Sequence, residues 1–400
     1  MSLVAGRCRQ VALAAIHHRQ RQPRVVARLD RGDAHSILPA GPTHVKIVLL
    51  TPELFRAEGG IARIMRLYLK ALCEICGTDG QVRSLALNDT NEDVPTLNRY
   101  GNARLTGHHG ANRHKLRFMW RAIRMARDAD WLVCGHIGQL IAARLARTAN
   151  PALRYALVAH GIEVWRPFSW LERWALRGAD RILCISEYTR RQLLRFCPGL
   201  DPARLPVVPN TFDPQLAQTT PTTPADRPTI LSVGRLVHAD AYKGFDTLIE
   251  AMPAVLEIIP TAQLRIVGAG DDLPRLQALA GQLDVSHSVT FTGKVSDEQL
   301  ADEYAQCTVF ALPSRREGFG LVYLEAMIRG KSCLGARAGG TPEVISSDTG
   351  ILVEYGNVPE IAVALIYLLR HSCDSEVVRR HAESFAFAQF TQKLAQALGT

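Results

Sequence analysis

Long hydrophobic runs are missing from this 400-residue chain. A helix needs roughly 20 consecutive apolar residues to cross a bilayer. The longest candidates here, such as Val45–Leu50 and Ile230–Val233, are only strand-sized. The expectation is a soluble or peripheral protein. A disulfide framework is missing as well: the nine cysteines are odd in number and scattered from Cys8 to Cys373, which suits a reducing cytosol. Cys73 and Cys76 form a CxxC, but no second pair completes a zinc site, so they read as two helix residues one turn apart. Residues 1–43 lack the clean apolar core of a secretion signal. They carry Arg7, Arg9, Arg19, Arg21, Arg24, Arg28 and Arg31 against Asp30 and Asp33, and read as a disordered or over-long N-terminal extension.

With 47% hydrophobic residues, the chain is rich enough in apolar side chains to fold and too long for one ordinary core. Two domains of about 150 to 200 residues each are expected. The net charge of +9 is compatible with nucleic acid, an anionic membrane surface or a phosphorylated substrate. Much of it lies in the N-terminal extension, and no nucleic-acid partner is expected.

From residue 45 onward, strand-like runs alternate with helix-length amphipathic stretches, the pattern of parallel sheets covered by helices on both faces. In the first half the strands are expected at Val45–Leu50, Val82–Leu87, Trp131–Cys134, Tyr155–Ala159, Arg181–Ile185 and Leu205–Val208. The Thr, Pro, Gln and Asp of residues 210–228 have no periodicity and read as a linker, drawn at 215–228 between an N-terminal domain, 44–214, and a C-terminal one, 229–375. The second set of strands is expected at Thr229–Val233, Gln263–Val267, Val289–Thr292, Val309–Leu312, Cys333–Ala336 and Ile351–Val353. Helices fall at Phe245–Ile258, Leu273–Leu283, Asp297–Ala305 and Gly320–Arg329, and residues 376–400 read as helices packing back toward the N-terminal domain. The fold class is α/β, two Rossmann-like doubly wound domains facing each other across a cleft. A ligand belongs at the carboxyl ends of the strands.

The most informative stretch is Glu317-Gly318-Phe319-Gly320 followed by a helix carrying Glu325. Two carboxylates eight residues apart lie near one helix face, and the glycines leave backbone amides bare for a diphosphate or sugar. Ser232-Val233-Gly234-Arg235 ends a strand and Lys243-Gly244 opens the next helix, so two cations stand where a departing nucleotide would build up negative charge. Each feature alone is more often a surface charge; together they point to a nucleotide-diphosphate sugar.

With these motifs in order, the chain resembles the retaining glycosyltransferases of family 4, which have the GT-B fold. The resemblance runs through GGIARIMRLYLKAL, HGIEVW, ISEYTRRQL, VPNTFD, YKGFDTLIEAM, LRIVGAGDD, VTFTGKVSDEQL, SRREGFGLVYLEAM and AGGTPEVI. It implies that His160, Arg235, Lys243 and Glu317 form the catalytic set, Arg235 and Lys243 gripping the phosphates and His160 pointing toward the sugar. The donor-binding set it implies is Gly59, Gly60, Gly234, Phe291, Gly293, Gly318, Phe319, Gly320 and Glu325, with the 289–293 segment reading the base, Glu325 the ribose, and Glu317 with the amides of Phe319 and Gly320 the sugar. It also implies front-face substitution with retention, no cofactor and no divalent metal, and transfer from a UDP- or GDP-sugar to a glycan or lipid-linked acceptor in polysaccharide or glycolipid synthesis. The family commonly has Asn-Gly where this chain has Asn210-Thr211, a change of backbone freedom without loss of charge.

Other signals are weaker. Asp128-Ala129-Asp130 matches the DxD of metal-dependent transferases, but it ends a helix before the strand at Trp131. Val267-Gly268-Ala269-Gly270 lacks the third glycine of a dinucleotide fingerprint, because position 273 is Leu. From Arg113 to Arg127, Leu116, Met119, Trp120 and Ile123 recur at helical spacing among six cations. That helix either packs its stripe on the sheet or lies on an anionic membrane surface, which would make the protein peripheral on the inner face of the cell membrane. Trp165, Phe168, Trp170 and Trp174 read equally as core or as contacts to an acceptor or lipid. Two competing functions remain: a sugar-nucleotide epimerase of the same fold, which the motif order fits poorly, and a non-catalytic binding homologue, of which loss of Glu317, Glu325, Arg235 or Lys243 would be the sign. All four are present.

Overall fold

A computed structural model describes residues 44–56, 59–90, 97–217 and 226–400. The expectation for residues 1–43 lies outside the described residues. The described chain divides into two compact units: residues 44–214 with 384–400, and residues 215–383.

The first unit holds a six-stranded, all-parallel sheet in the order β3-β2-β1-β4-β5-β6. Its strands are β1 (Lys46–Thr51), β2 (Gln81–Ala86), β3 (Leu105–Gly110), β4 (Trp131–Cys134), β5 (Arg154–Ala159) and β6 (Arg181–Cys184). The second unit holds β7 (Thr229–Val233), β8 (Gln263–Val267), β9 (Val289–Gly293), β10 (Val309–Leu312), β11 (Ser332–Ala336) and β12 (Gly350–Val353), parallel in the order β12-β11-β10-β7-β8-β9. The two sheets have the same winding. In each, the first strand sits beside the fourth, and connections leave that pair in opposite directions, which opens a crevice at the carboxyl ends. Central strands are apolar along their whole length because helices cover both faces: Ile47, Val48, Leu49 and Leu50 are all fully buried.

Two strand expectations differ from the structure. Leu205–Val208 forms no strand; Val207 makes a single parallel bridge to Cys184. Leu105–Gly110 is a strand that the pattern concealed, since LTGHHG has no apolar alternation. It lies at the sheet edge on β2, with a register shift between Val82 and Arg83, where only one side needs to pair.

The longer helices of the first unit before its C-terminal segment are α1 (Gly60–Ile75), α2 (Lys115–Met125), α3 (Leu140–Ala149), α4 (Trp170–Gly178) and α5 (Glu187–Phe196). α2, α3 and α4 lie side by side, and their buried faces join one apolar cluster over the sheet that includes Phe118, Ala122, Leu140, Ala143, Ala175 and Leu176. The stripe expected along α2 splits. Phe118 and Ala122 are buried with Met119 and Ile123 packed partly against the core, but Leu116 is 78% and Trp120 59% exposed. The CxxC reading holds in geometry: Cys73 and Cys76 are both buried at the end of α1.

The second unit has α6 (Phe245–Ile258), α7 (Leu273–Gln282), α8 (Asp297–Gln306), α9 (Leu321–Met327), α10 (Val358–Arg370) and α11 (Ser375–Glu383). The C-terminal helices do not behave as one piece. α11 lies against α9, whereas α12 (Phe387–Leu398) packs on α1 in the first unit. There Phe390 meets the fully buried Tyr68 edge to face, ring centroids 4.9 Å apart, and Arg181 Nε donates to the Ala397 carbonyl at 2.9 Å. Truncating Phe390, which is 2% exposed, removes this aromatic contact and leaves a cavity. Phe390→Ala is expected to cost about 3 kcal/mol, read by urea unfolding at constant m-value.

Candidate donor and catalytic site

Gly234 and Arg235 follow β7, and the loop then runs through a 3₁₀ turn, His238–Lys243, to Gly244, whose φ of 80° starts α6. The loop folds back on the strand end. A Cβ on Gly234 would stand 3.1 Å from both the Lys243 ammonium and the Phe245 ring, so glycine admits the lysine over the strand terminus. Arg235 is 64% exposed and pairs at 2.8 Å with the buried Asp240, whose other oxygen accepts from the Tyr242 hydroxyl at 3.0 Å. Burial and the neighbouring Asp240 push the Tyr242 phenol well up, keeping it protonated as a donor.

Glu317 joins this cluster from the end of β10. Burial raises its pKa above the ordinary glutamate value; Lys243 pulls it back, as do the backbone amides of Phe319 and Gly318, which donate to the carboxylate. The amide expected to face the sugar at Phe319 is therefore engaged with Glu317. The following helix is also shorter than expected: α9 has seven residues and is preceded by Gly320 at φ 93°, where any Cβ would collide with the Tyr323 ring at 2.3 Å. Opposite, Gly339 and Gly340 of AGGTPEVI pack on the Glu317 backbone, Gly340 donating to the Glu317 carbonyl at 2.8 Å.

Glu325 sits in α9, 6% exposed, and accepts from the buried Tyr304 hydroxyl at 2.8 Å. Phe291 and Gly293 belong to the edge strand β9, beyond β8 from β7, with Gly293 at φ 71° and open space where a Cβ would stand. The structure thus brings Gly234, Arg235, Lys243, Glu317 and Gly318 together at the β7–β10 switch point, with Phe319 and Gly320 in the same loop and Phe291 and Gly293 at the end of β9. Asp240, Tyr242 and Tyr304 were not legible in the sequence, where nothing marks an aspartate in a loop or a tyrosine on a helix as orienting another side chain.

The first unit gathers its residues at the corresponding edge. Gly59 and Gly60 open α1 with no side-chain cap and nothing within 4 Å of either added Cβ. The preceding loop is pinned by buried Asp89, which accepts from the amides of Leu54, Phe55 and Arg56 at 3.0, 3.1 and 3.4 Å. His160 follows β5 and is 9% exposed. Its Nε2 donates to the Gly135 carbonyl at 2.9 Å, which leaves Nδ1 as the nitrogen with the lone pair. Burial lowers its pKa to about 4, so the ring is neutral at physiological pH. Glu163 accepts from the amides of His160 and Gly161 at 2.6 and 3.2 Å and holds the turn at Gly161, φ 134°. Burial raises the Glu163 carboxyl, and His136, at the end of β4, lies near enough to pull it down. His136 and Glu163 are further groups at this edge that the spacing did not single out.

Asp128 and Asp130 lie at the opposite, amino end of β4. Asp128 pairs with Arg83 at 2.7 Å and Lys46 at 3.5 Å, and Asp130 accepts the Lys46 amide at 2.8 Å, so the DxD string is engaged structurally.

The family model of Glycosyltransferase Family 4 matches residues 59–216 and that of Glycosyl transferases group 1 residues 227–371. The GDP-mannose-dependent monoacylated alpha-(1-6)-phosphatidylinositol monomannoside mannosyltransferase of Corynebacterium glutamicum is 33% identical over 272 residues, 60% of this chain and 69% of that protein. The chain belongs to glycosyltransferase family 4. A second family 4 relative, the GDP-mannose-dependent alpha-(1-6)-phosphatidylinositol monomannoside mannosyltransferase of Mycobacterium tuberculosis, is 34% identical over 252 residues, 58% of this chain; the match spans 63% of that relative's length. Among solved structures, Anabaena HepE in complex with UDP and glucose superposes with a TM-score of 0.73 at 20% identity, covering 89% of this chain and all of that one. The fold is GT-B, two Rossmann-like domains.

The raised pKa of Glu317 makes its charge a stability cost. The native carboxyl holds its proton more tightly than the unfolded one, so stability falls as pH rises from the unfolded value through the native one. Glu317→Gln is expected to raise the melting temperature at pH 7, a gain that vanishes below the ordinary glutamate range. Melting curves at pH 7 and pH 4 check this.

Proposed function

We propose that this family 4 protein transfers mannose, with retention and without a divalent metal, from GDP-mannose to a phospholipid-linked acceptor. The observation that carries the reading is the cluster after β7, where Arg235 is held by Asp240 and Lys243 lies over Gly234 beside Glu317. The bond from the anomeric carbon to phosphate breaks and its electron pair leaves with the nucleotide. Arg235 takes the phosphate oxygens as a fork and Lys243 as a point charge, supplying the positive charge that a metal supplies elsewhere. Asp240 holds the Arg235 guanidinium in place. The acceptor oxygen bonds to the same face of the carbon, and its proton passes to the departing phosphate. Glu317 accepts sugar hydroxyls, and Glu325 the ribose hydroxyls with Tyr304 fixing its carboxylate.

The guanine base and mannose are proposed from the names of relatives 33% and 34% identical. The lipid acceptor has the same source, and the exposed Leu116 and Trp120 among the cations of α2 support a peripheral position on an anionic leaflet. Among the described residues no helix is long and apolar enough to span a membrane.

Isothermal titration with GDP, UDP and ADP in EDTA tests the donor site. Micromolar binding of GDP alone is expected, abolished in a Glu325→Ala, Lys243→Ala double variant whose circular dichroism is unchanged. Lys243→Ala alone should lower kcat by about 100-fold or more. Failure of the folded wild type to bind any of the three would overturn the proposal.

A further inference from the structure

The surface of the first unit holds a second basic, aromatic feature that the donor site does not use. Between α3 and α4 lies a groove of about 310 Å³ lined by Arg144, Trp170, Arg173, Trp174, Arg177 and Gly178. Trp170 is 69% exposed, Leu171 beside it 36% and Trp174 38%. Large aromatic side chains left this far in solvent on a helix whose other face is well buried call for a partner.

The groove is constructed around a cation. Arg144 lies over the Trp174 ring, 5.0 Å from its centroid. Gly178 makes room for it: a Cβ there would fall 2.5 Å from the Arg144 guanidinium and 2.4 Å from the Tyr155 hydroxyl. The carboxylates nearest in sequence are turned to other duties. Glu172 pairs with Arg166 at 2.6 Å and closes the capping box of α4, and Asp180 pairs with Arg147. Arg177 donates to the Pro198 carbonyl at 3.3 Å. Among the described residues, Arg144, Arg173 and Arg177 line one groove without a carboxylate partner, an arrangement that an anion would relieve.

We propose that this groove takes the phosphate of an anionic phospholipid headgroup, with Trp170 and Leu171 set at the level of the interface. Arginine forks suit phosphate oxygens, and tryptophan suits the boundary between headgroup and acyl chain. α3 also packs on α2, which carries the exposed Leu116 and Trp120. The inference rests on the peripheral position proposed above and adds a specific headgroup site to it.

Co-sedimentation of the full chain with phosphatidylcholine vesicles, with and without phosphatidylinositol, tests it. Each basic residue at an anionic leaflet strengthens binding about fivefold, so the Arg173→Gln, Arg177→Gln variant should bind phosphatidylinositol vesicles about 30-fold more weakly than wild type. Unchanged circular dichroism and urea unfolding of the variant serve as the fold control. Tryptophan emission should shift to the blue on vesicle binding, and by less in Trp170→Phe. Unchanged binding by the arginine variant, with loss in Leu116→Glu, Trp120→Glu, would overturn the headgroup site and leave the peripheral reading intact. Failure of wild type to bind either vesicle overturns both. Displacement from vesicles by millimolar inorganic phosphate in wild type alone supports the site, and a change in oligomeric state of the arginine variant on sedimentation, with vesicle binding kept, assigns the groove to a second copy and overturns it.

Discussion

A carboxylate withdrawn from water needs compensating charge or donors, and in the loop after β10 that requirement organises the carboxyl edge of the second sheet. Glu317 is compensated by Lys243 and by two amides of its own loop. Lys243 lies over the glycine at position 234, and Arg235, next along, is steadied by Asp240 and, behind it, Tyr242. Burial works against the ionised Glu317 while its neighbours support it. Burial and the surrounding donors thus pull the Glu317 carboxyl in opposite directions, as expected where binding and stability compete.

The same device recurs in the first unit. Asp89 gathers three amides of the loop after β1, and Glu163 gathers the amides of His160 and Gly161 after β5. Loops at strand ends have no ladder partners for their N–H groups, so a buried carboxylate that accepts several of them at once both satisfies the backbone and sets its shape. His160 is held twice, by its amide on Glu163 and by Nε2 on the Gly135 carbonyl, and its ring stays neutral because it is buried. A neutral ring placed this rigidly suits contact with a sugar hydroxyl better than it suits charge stabilisation.

Away from the edges, the first unit divides its aromatic residues between interior and surface. Trp131 and Tyr68 are buried, whereas Trp120, Trp170 and Trp174 are left beside arginines. This division separates the two meanings that an aromatic, basic amphipathic stretch has in a sequence. On α2 the core takes Phe118 and Ala122, so the helix is packed and still presents Leu116 and Trp120 outward. The packed reading accounts for one face of that helix, and the other face stays exposed.

The sequence by itself determined the two-sheet architecture, because parallel strands buried on both faces must be continuously apolar and their covering helices must not be; Trp131–Cys134, Thr229–Val233, Gln263–Val267 and Val309–Leu312 are strands within the bounds read from that contrast. It also determined which glycines, cations and glutamates stand at strand ends, since those positions follow from chain order. It did not reveal β3, an edge strand that needs only one partner and so carries little pattern. What the tertiary structure alone decided was which groups meet across long separations. Tyr304 lies on the Glu325 carboxylate from 21 residues away. Asp240 turns to Arg235, the Gly318 and Phe319 amides turn inward to Glu317, and Arg144 comes to rest beside Arg173 and Arg177. Such meetings depend on loop direction and helix rotation, which are set by packing of the whole domain and not by any local run of residues.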